Sequence, residues 1–401
     1  MSVVASMFWI GLGLLAWVYV GYPVLLWLLK VFGLRRPVRL AAIEPRVTLI
    51  ISAYNERQVI AAKLENCRRL DYPAGRLEVI VVSDASDDGT DDLVRVAGPP
   101  FRLLRMEARG GKTVGLNAAL QAASGDIVVF SDANAMYERD ALRQIVRNFA
   151  DPHVGAVTGE SRYEIGADDA STESEVTYWS YELWIKGLES SLGSVVGGDG
   201  AIYGIRRGLY RDMAPGDLSD FVNPLQIVTQ GYRNIYEPTA ISWEGGAEGY
   251  GAEFRRKVRI VNRAWRATFK MRELLNPLRF GFFSFQFLSH KVLRWLVPWL
   301  MLLVLVTNAI LFITSPLYAL LLLGQLLFYG LALLGWLMAG RRAGRPGGGA
   351  GLLGRSTSIP YYFCLVNLAS LVALVEVFGG KEYQTWTSSR PAAAASSAVL
   401  P

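Results

Sequence analysis

Apolar and polar positions divide this 401-residue chain into two kinds of segment. Each of four stretches carries almost no charge and is close to the roughly 20 residues that a helix needs to cross a bilayer. They are residues 8–29, 295–313, 317–339 and 360–375. Residues 40–255 instead alternate short apolar runs with charged positions, which is typical of a soluble domain. The pattern predicts a soluble domain held between transmembrane helices.

The soluble region repeats a strand-like pattern at residues 47–53, 78–82 and 126–130. Each run is short, is rich in β-branched residues and leads into polar residues, as buried parallel strands do. Helical periodicity follows each of the first two runs and also precedes the third. This βαβα alternation predicts the α/β fold class, with an open, mostly parallel, Rossmann-like sheet and helices on both faces.

Polar residues follow the carboxyl ends of these strands, where open parallel sheets bind their ligands. They are Tyr54-Asn55-Glu56, Asp84 and Asp132-Ala133-Asn134. A dinucleotide-binding dehydrogenase would carry a G-x-G-x-x-G turn after the first strand, and a nucleoside triphosphatase would carry a P-loop. This chain reads SAYNE at residues 52–56 and has no P-loop. The sequence therefore disfavours both classes of protein.

Charge next to the apolar stretches indicates how the chain lies in a membrane. The first stretch begins without a basic segment and lacks a small-residue cleavage site, so it is interpreted as a retained anchor. Arg35, Arg36 and Arg39 follow it directly, and the positive-inside rule then places the soluble domain in the cytosol. We expect a multi-pass protein of the inner or plasma membrane.

Much of the net charge of +6 comes from one basic segment. Residues 255–294 contain eleven Lys or Arg residues and a single acidic residue, Glu273. This segment leads straight into an apolar stretch, so lipid headgroups and an anionic substrate are better partners for it than nucleic acid. Its aromatic and basic residues at 271–294 predict an amphipathic interface segment. Arg294 is expected to snorkel towards the headgroups.

Six polar motifs occur in the order that family-2 glycosyltransferases of the GT-A fold show. They are SAYNE at 52–56, VVSDASDDGT at 81–90, Gly111-Lys112, FSDANAMY at 130–137, GGDGAIYGIRR at 197–207 and LSDF at 218–221. With its flanking apolar helices, the chain resembles the membrane-bound polysaccharide synthases of that family, such as cellulose, hyaluronan and poly-N-acetylglucosamine synthases. The resemblance covers residues 45–270 closely. It implies a hexosyltransferase that uses a sugar nucleotide.

The resemblance also implies roles for individual residues. The nucleotide-binding residues would be Ala53, Tyr54, Asn55, Glu56, Asp84, Lys112 and Arg263, together with Asp132. Asp132 and Asn134 hold the place of the family's D-x-D motif and would bind Mg²⁺ or Mn²⁺, because two oxygen ligands one residue apart at a strand end can reach one hard cation. The amide of Asn134 brings less charge than the usual aspartate.

Asp220 corresponds to the aspartate that acts as general base in the family, because inverting transfer needs a carboxylate beside the acceptor hydroxyl. Asp217, three residues earlier, is the alternative, and it more closely resembles a helix cap. The acceptor-binding residues would be Asp199, Gly200 and Trp265. The processivity motif Q-x-x-R-W is incomplete near Trp265, so polymer synthesis and single addition both stay open.

The predicted domain order is an N-terminal transmembrane helix at 1–33, a cytosolic GT-A domain at 40–270, the interface segment, transmembrane helices at 295–378 and a tail at 379–401. The tail resembles a cytosolic gating segment, with Lys381, Trp386 and Arg390 as its residues of interest. The leading hypothesis is inverting transfer of a sugar from a UDP-sugar donor to a growing polysaccharide, with possible export. The alternatives are single addition to a polyprenyl-phosphate or glycolipid acceptor and a non-catalytic sensing or transport subunit.

Overall fold

A computed structural model of the chain describes residues 2–164, 170–245, 249–342 and 352–385. The chain divides into two compact units. The sheet unit comprises Pro37–Glu164, Gly197–Glu248 and Tyr383–Pro401, and the helical unit comprises Met1–Arg36, Ile165–Val196 and Gly249–Glu382. The sheet unit is therefore assembled from separate segments. Two segments of the predicted domain at 40–270, residues 165–196 and 249–270, belong to the helical unit.

The sheet unit is built on eight strands. They are β1 Val47–Ala53, β2 Leu77–Ser83, β3 Phe101–Arg105, β4 Ile127–Asp132, β5 Met136–Tyr137, β6 Val154–Glu164, β7 Tyr203–Arg206 and β8 Arg233–Gly245. Their order in the sheet is β3-β2-β1-β4-β7-β6-β8-β5. The first four are parallel, β6 and β8 are parallel, and β7 and β5 are antiparallel to their neighbours. The predicted mostly parallel α/β sheet is confirmed.

The three predicted strands have continuous apolar runs because both of their faces are covered. Every residue of β1 is buried, which is what a strand in the centre of a parallel sheet requires. One face of β1, carrying Leu49 and Ile51, joins a core with Ile60 and Leu64 of the following helix. At an average of about 25 cal/mol per Å² of apolar surface, this core is a main source of the unit's stability.

Five helices belong to the sheet unit and the others to the helical unit. The sheet unit contains α3 Arg57–Arg68, α4 Thr90–Ala97, α5 Lys112–Ala122, α6 Ala141–Val146 and α8 Ser219–Thr229. The helical unit contains α1 Ser2–Ala16, α2 Tyr22–Val31, α7 Ala170–Leu192, α9 Gly249–Lys270, α10 Pro277–Phe280, α11 Phe282–Phe287, α12 Leu293–Leu311, α13 Pro316–Arg342 and α14 Leu352–Phe378. Single 3₁₀ turns cover 74–76, 147–150, 207–209 and 272–275, and π-turns join α1 to α2 and α11 to α12.

Four helices in the described part of the chain are long and apolar enough to cross a membrane. They are Ser2–Val31, Phe282–Leu311, Pro316–Ala339 and Ser356–Phe378. Each contains or closely overlaps one of the predicted apolar stretches. Many of their large apolar side chains are exposed, as Leu320, Leu323 and Leu327 are on α13. Exposed apolar surface of this extent is typical of a protein that associates with a membrane.

The structure differs from the sequence expectations in the segment 271–294. The apolar helix begins at Phe282 instead of residue 295, so much of the predicted interface segment is part of a span-length helix. Arg294 does not snorkel, because it is 8% exposed and its guanidinium pairs with Glu182 of α7. A carboxylate from a distant part of the chain compensates the buried charge, and no local pattern reports such a partner.

Candidate active site

The turns after β1 and β2 are joined by hydrogen bonds around Asn55. The Asn55 backbone lies in the left-handed region, with φ 53°, which asparagine tolerates better than most residues. Its N–H donates to the Ser86 hydroxyl at 3.1 Å. Its side chain exchanges two hydrogen bonds with Asp87, at 2.8 and 3.1 Å. Asn55 therefore holds together the turns that contain Tyr54 and Asp84, directly after Ala53 at the end of β1.

Two further residues of the predicted nucleotide site lie in these turns. The Tyr54 ring is covered by the Arg109 guanidinium, 3.8 Å from the ring centroid, a cation–π arrangement that presents a flat surface. Glu56 is buried and precedes α3, and its N–H donates to the Thr90 hydroxyl at 2.9 Å. The polar residues predicted to surround a nucleotide therefore lie at the carboxyl ends of β1 and β2.

Asp84 is almost fully buried, and its carboxylate shapes the turn before α5. It accepts hydrogen bonds from the N–H groups of Gly110, at 2.8 Å, and Gly111, at 3.0 Å. Gly111 has φ 88°, and a side chain there would also overlap the backbone carbonyl of Gln384. Asp84 thus positions the residue that follows the turn, Lys112. The sequence motif alone did not indicate this second role.

Lys112, Asp132 and Asp220 converge around Gly200. The Lys112 ammonium pairs with an Asp132 carboxylate oxygen and lies 3.5 Å from the Gly200 carbonyl. A Cβ atom on Gly200 would lie 3.2 Å from Asp220 Oδ2 and 3.8 Å from Asp132 Oδ2. The two carboxylates therefore face one small space, and a side chain at residue 200 would crowd it. The sequence predicted all four residues, and the structure brings them together.

Charge in this space stabilises the protonated form of Lys112. Burial by itself would lower the pKa of the lysine, but Asp132 and then Asp220 outweigh it, so the pKa is raised above its ordinary value. Asp132 keeps about a third of its side chain exposed. The site thus combines a fixed cation, an accessible carboxylate and a second carboxylate on α8.

The oxygen atoms around Asp132 suit a metal ion that also binds oxygen atoms of a substrate. The described residues contain no group of three or more His, Cys, Asp or Glu side chains arranged for a metal ion. Asp132 and the half-buried Asn134 would supply two oxygen atoms. Mg²⁺ is commonly held by one or two carboxylates together with phosphate oxygens and water. These residues therefore fit a divalent cation that binds with a diphosphate.

Three other polar residues, which lie in or near the motifs, have structural partners. Asp199 is buried and accepts from the Ser161 hydroxyl at 2.7 Å and from Ala201 N–H at 3.2 Å. The Asp217 carboxylate accepts from Ala214 N–H at 2.8 Å, so it closes a turn before α8. Asn117 holds the loop 210–213 through Tyr210 and Met213. Asp220 faces the space beside Gly200 together with Asp132, so it is the better candidate for a base than Asp217.

Arg263 and Trp265 lie on α9, in the helical unit. Trp265 is 5% exposed and its ring packs 5.4 Å from those of Phe269 and Trp295. This packing favours a structural role over the predicted contact with an acceptor sugar. In the predicted tail, the Lys381 ammonium pairs with Glu376 at 2.5 Å, whereas Trp386 and Arg390 lie outside the described residues.

Sequence reasoning missed Lys63, which supports the turn that follows Asp132 and Asn134. This lysine of α3 is fully buried and donates to the Ala135 carbonyl, and its ammonium lies 4.0 Å from the centroid of the Tyr137 ring. Tyr137 in turn donates to the Ala201 carbonyl at 3.1 Å. Lys63 shares the buried helix face of Ile60 and Cys67. A lysine on an apolar face was the signal that could have found it.

A comparison of the chain with protein families agrees with this site. Residues 48–213 match the model of the family described as Glycosyl transferase family 2. The chain therefore contains a glycosyltransferase family 2 domain. The match includes the turns after β1, β2 and β4 and the glycine-rich segment around Gly200, and it ends shortly before Asp220.

Known proteins resemble the chain over different lengths. The poly-beta-1,6-N-acetyl-D-glucosamine synthase of Staphylococcus aureus (strain COL) is 28% identical over 220 residues, which is 53% of this chain and 53% of that protein. The probable glycosyltransferase YdaM of Bacillus subtilis (strain 168) is 27% identical over 227 residues, which is 54% of each protein. The chain spans about half the length of these curated relatives.

One solved structure matches nearly the whole chain. It is the mannosyltransferase PcManGT from Pyrobaculum calidifontis in complex with GDP-Man and Mn²⁺, with a TM-score of 0.69 and 25% sequence identity. The match covers 94% of this chain and 100% of that one. This match and the mostly parallel sheet confirm the predicted GT-A-type fold.

Proposed function

We propose that the protein is an inverting glycosyltransferase that takes a sugar from a nucleoside diphosphate sugar. The observation that carries the proposal is the convergence of Lys112, Asp132 and Asp220 on the space beside Gly200. A cation and a carboxylate that can share a metal ion suit a diphosphate, and a second carboxylate nearby suits the acceptor hydroxyl. The family 2 domain and its relatives support the same reaction.

In this mechanism Asp220 accepts the proton of the acceptor hydroxyl as that oxygen attacks the anomeric carbon. The bond from the anomeric carbon to the diphosphate breaks on the opposite face, which inverts the configuration. Lys112 stabilises the charge that develops on the leaving diphosphate. Asp132 and Asn134 would hold a Mg²⁺ or Mn²⁺ ion, which supplies further charge neutralisation at the diphosphate.

For the donor we propose a UDP-sugar, with GDP-mannose as the competing donor. The synthase motifs around Asp84 support a uracil nucleotide, whereas the matching solved structure holds GDP-Man. The detergent-purified protein is incubated with a panel of UDP- and GDP-sugars in the presence of Mn²⁺. The nucleoside diphosphate that is released, UDP or GDP, identifies the class of donor. Turnover of neither class would remove the proposal.

For the acceptor we propose a growing polysaccharide at the cytosolic face of the membrane. The relatedness to poly-N-acetylglucosamine synthase supports it. Single addition to a lipid-linked acceptor is the second candidate, because the processivity motif is incomplete and Trp265 is packed against protein. Sizing of the products decides between them, since a polymer ladder supports the first and a product with one added sugar supports the second.

The role of Asp220 is tested with Asp220→Asn. We expect transfer to fall by about 10²- to 10⁴-fold, the usual contribution of a general base, while donor binding measured by calorimetry stays within a few-fold of wild type. Asp212→Asn, an exposed carboxylate before the same helix, is the matched control and should retain full activity. Retained turnover in Asp220→Asn would exclude Asp220 as the base.

A further inference from the structure

A buried ionic cluster lies inside the helical unit, and none of its residues belongs to the proposed active site. Helix α7 contributes Glu182, Lys186 and Glu189, which are 5%, 4% and 0% exposed. Their spacing of four and three residues places them on one face of the helix. Charged residues of these types are almost never fully buried unless they are paired. Their environment therefore needs an explanation.

The facing groups come from the helix that spans Phe282–Leu311. Both ring nitrogens of His290 contact carboxylates, Nδ1 at 2.9 Å from Glu189 and Nε2 at 3.2 Å from Glu182. The imidazole ring therefore lies between the two carboxylates and links them. The Tyr22 hydroxyl also donates to Glu189.

Glu182 also faces two basic side chains. The Arg294 guanidinium pairs with it directly, and the Lys291 ammonium lies 3.6 Å away. Arg294 is also surrounded by aromatic rings, with the centroids of Tyr178 and Tyr181 at 5.1 and 5.4 Å. Glu182 is thus in contact with His290, Lys291 and Arg294.

Basic side chains outnumber carboxylates in this cluster. Besides His290, it holds three basic side chains, Lys186, Lys291 and Arg294, and two carboxylates, Glu182 and Glu189. In the part of the chain that the structure describes, Lys186 Nζ and Arg294 Nη2 are buried without a hydrogen-bond acceptor. The ring of Trp179 lies 4.8 Å from the Lys186 ammonium. A buried cation without a hydrogen-bonded counter-ion is strongly unfavourable.

We propose that this cluster is a binding site for a phosphate group, with Lys186, Lys291 and Arg294 as its ligands. A phosphate monoester carries between one and two negative charges at neutral pH, close to the excess in the cluster. Arginine and lysine with free N–H donors are the side chains that bind phosphate. Lys291 keeps 18% of its side chain exposed, so the cluster is open at that residue.

The surroundings favour a phosphate that is carried by a lipid. His290, Lys291 and Arg294 lie on one span-length apolar helix, and Tyr22 lies on another. A lipid headgroup can reach polar groups of such helices when its acyl chains stay on their apolar surface. Free phosphate from solution is the other source of the same chemistry, and the experiment distinguishes the two.

The test uses the full chain purified in a neutral detergent. Phosphatidic acid, phosphatidylcholine and inorganic phosphate are titrated separately while the melting temperature is recorded, and native mass spectrometry counts the bound lipid. We expect saturable stabilisation by phosphatidic acid but not by phosphatidylcholine. A saturable response to inorganic phosphate alone would assign the site to a soluble phosphate instead of a lipid.

Lys186→Met is the decisive variant. It removes an unpaired buried cation, so the ligand-free variant should melt at a higher temperature than wild type, while its affinity for the phosphate probe falls at least tenfold. Lys270→Met, an exposed lysine of the same unit, is the control and should bind as wild type does. Lys186→Gln replaces the first variant if that one does not fold.

Two results would overturn the proposal. One is the absence of saturable binding of either phosphate form to the wild-type protein. The other is equal affinity in the Lys186 variant and in Lys270→Met, which would place any bound phosphate elsewhere. Because none of these measurements uses sugar transfer, they are independent of the proposed enzymatic activity.

Discussion

Gly200→Ala tests whether the space between Asp132 and Asp220 is where the reaction takes place. The added methyl group would lie 3.2 Å from Asp220 Oδ2 and 3.8 Å from Asp132 Oδ2. The first distance is shorter than an ordinary contact with a carbon atom, so Asp220 must retreat by a few tenths of an ångström. The methyl group also occupies the volume into which a donor or an acceptor hydroxyl would have to fit.

The expected loss follows from these distances. Misplacement of a reacting group by about 1 Å can cost roughly 100-fold in rate, which corresponds to about 2.7 kcal/mol. A smaller retreat combined with a partly filled space should lower kcat/KM by about 10- to 100-fold. Gly200 lacks a positive φ, so alanine adds no backbone strain, and the fold should lose less than about 1 kcal/mol.

The assay compares nucleoside diphosphate release with the melting temperature of each variant. Gly208→Ala is the matched control, because a Cβ at residue 208 would meet nothing within 4 Å. It should keep both the wild-type rate and the wild-type melting temperature. If Gly200→Ala retains kcat/KM within twofold of wild type, the reacting groups do not meet beside Gly200, and the proposed site is wrong.

Two further predictions concern charge. Asn134→Asp adds a second carboxylate beside Asp132. It should lower the Mn²⁺ concentration for half-maximal turnover by about tenfold, since ligand charge tunes cation affinity. An unchanged half-saturation concentration would exclude Asn134 as a ligand. Burial would raise the pKa of Glu253, but Lys257 and Arg256 lower it to about 2 from 4.5. The stabilisation this represents, about 3 kcal/mol, is present above pH 4.5 and is lost as the pH falls towards 2. Glu253→Gln should therefore lower the melting temperature at pH 7, and the difference from wild type should shrink below pH 4.

The sequence by itself determined the features that depend on local pattern. The runs that became β1, β2 and β4 are apolar throughout because both faces of central parallel strands are covered. The apolar stretches predicted the four span-length helices, because a helix that is surrounded by lipid needs no polar face. Asp84 and Asp132 could be assigned to one site because parallel strands bring their carboxyl ends to one edge of the sheet, whereas Lys112 was assigned through the family resemblance.

Only the tertiary structure decided which charged groups are buried and with what partners. Asp84 was predicted to contact a nucleotide, yet its carboxylate also holds the turn before Lys112. Arg294 was expected among headgroups and instead pairs with Glu182, more than 100 residues earlier in the chain. The free energy of a buried charge depends on counter-charges from distant segments, and the periodicity of hydrophobic residues carries no information about them.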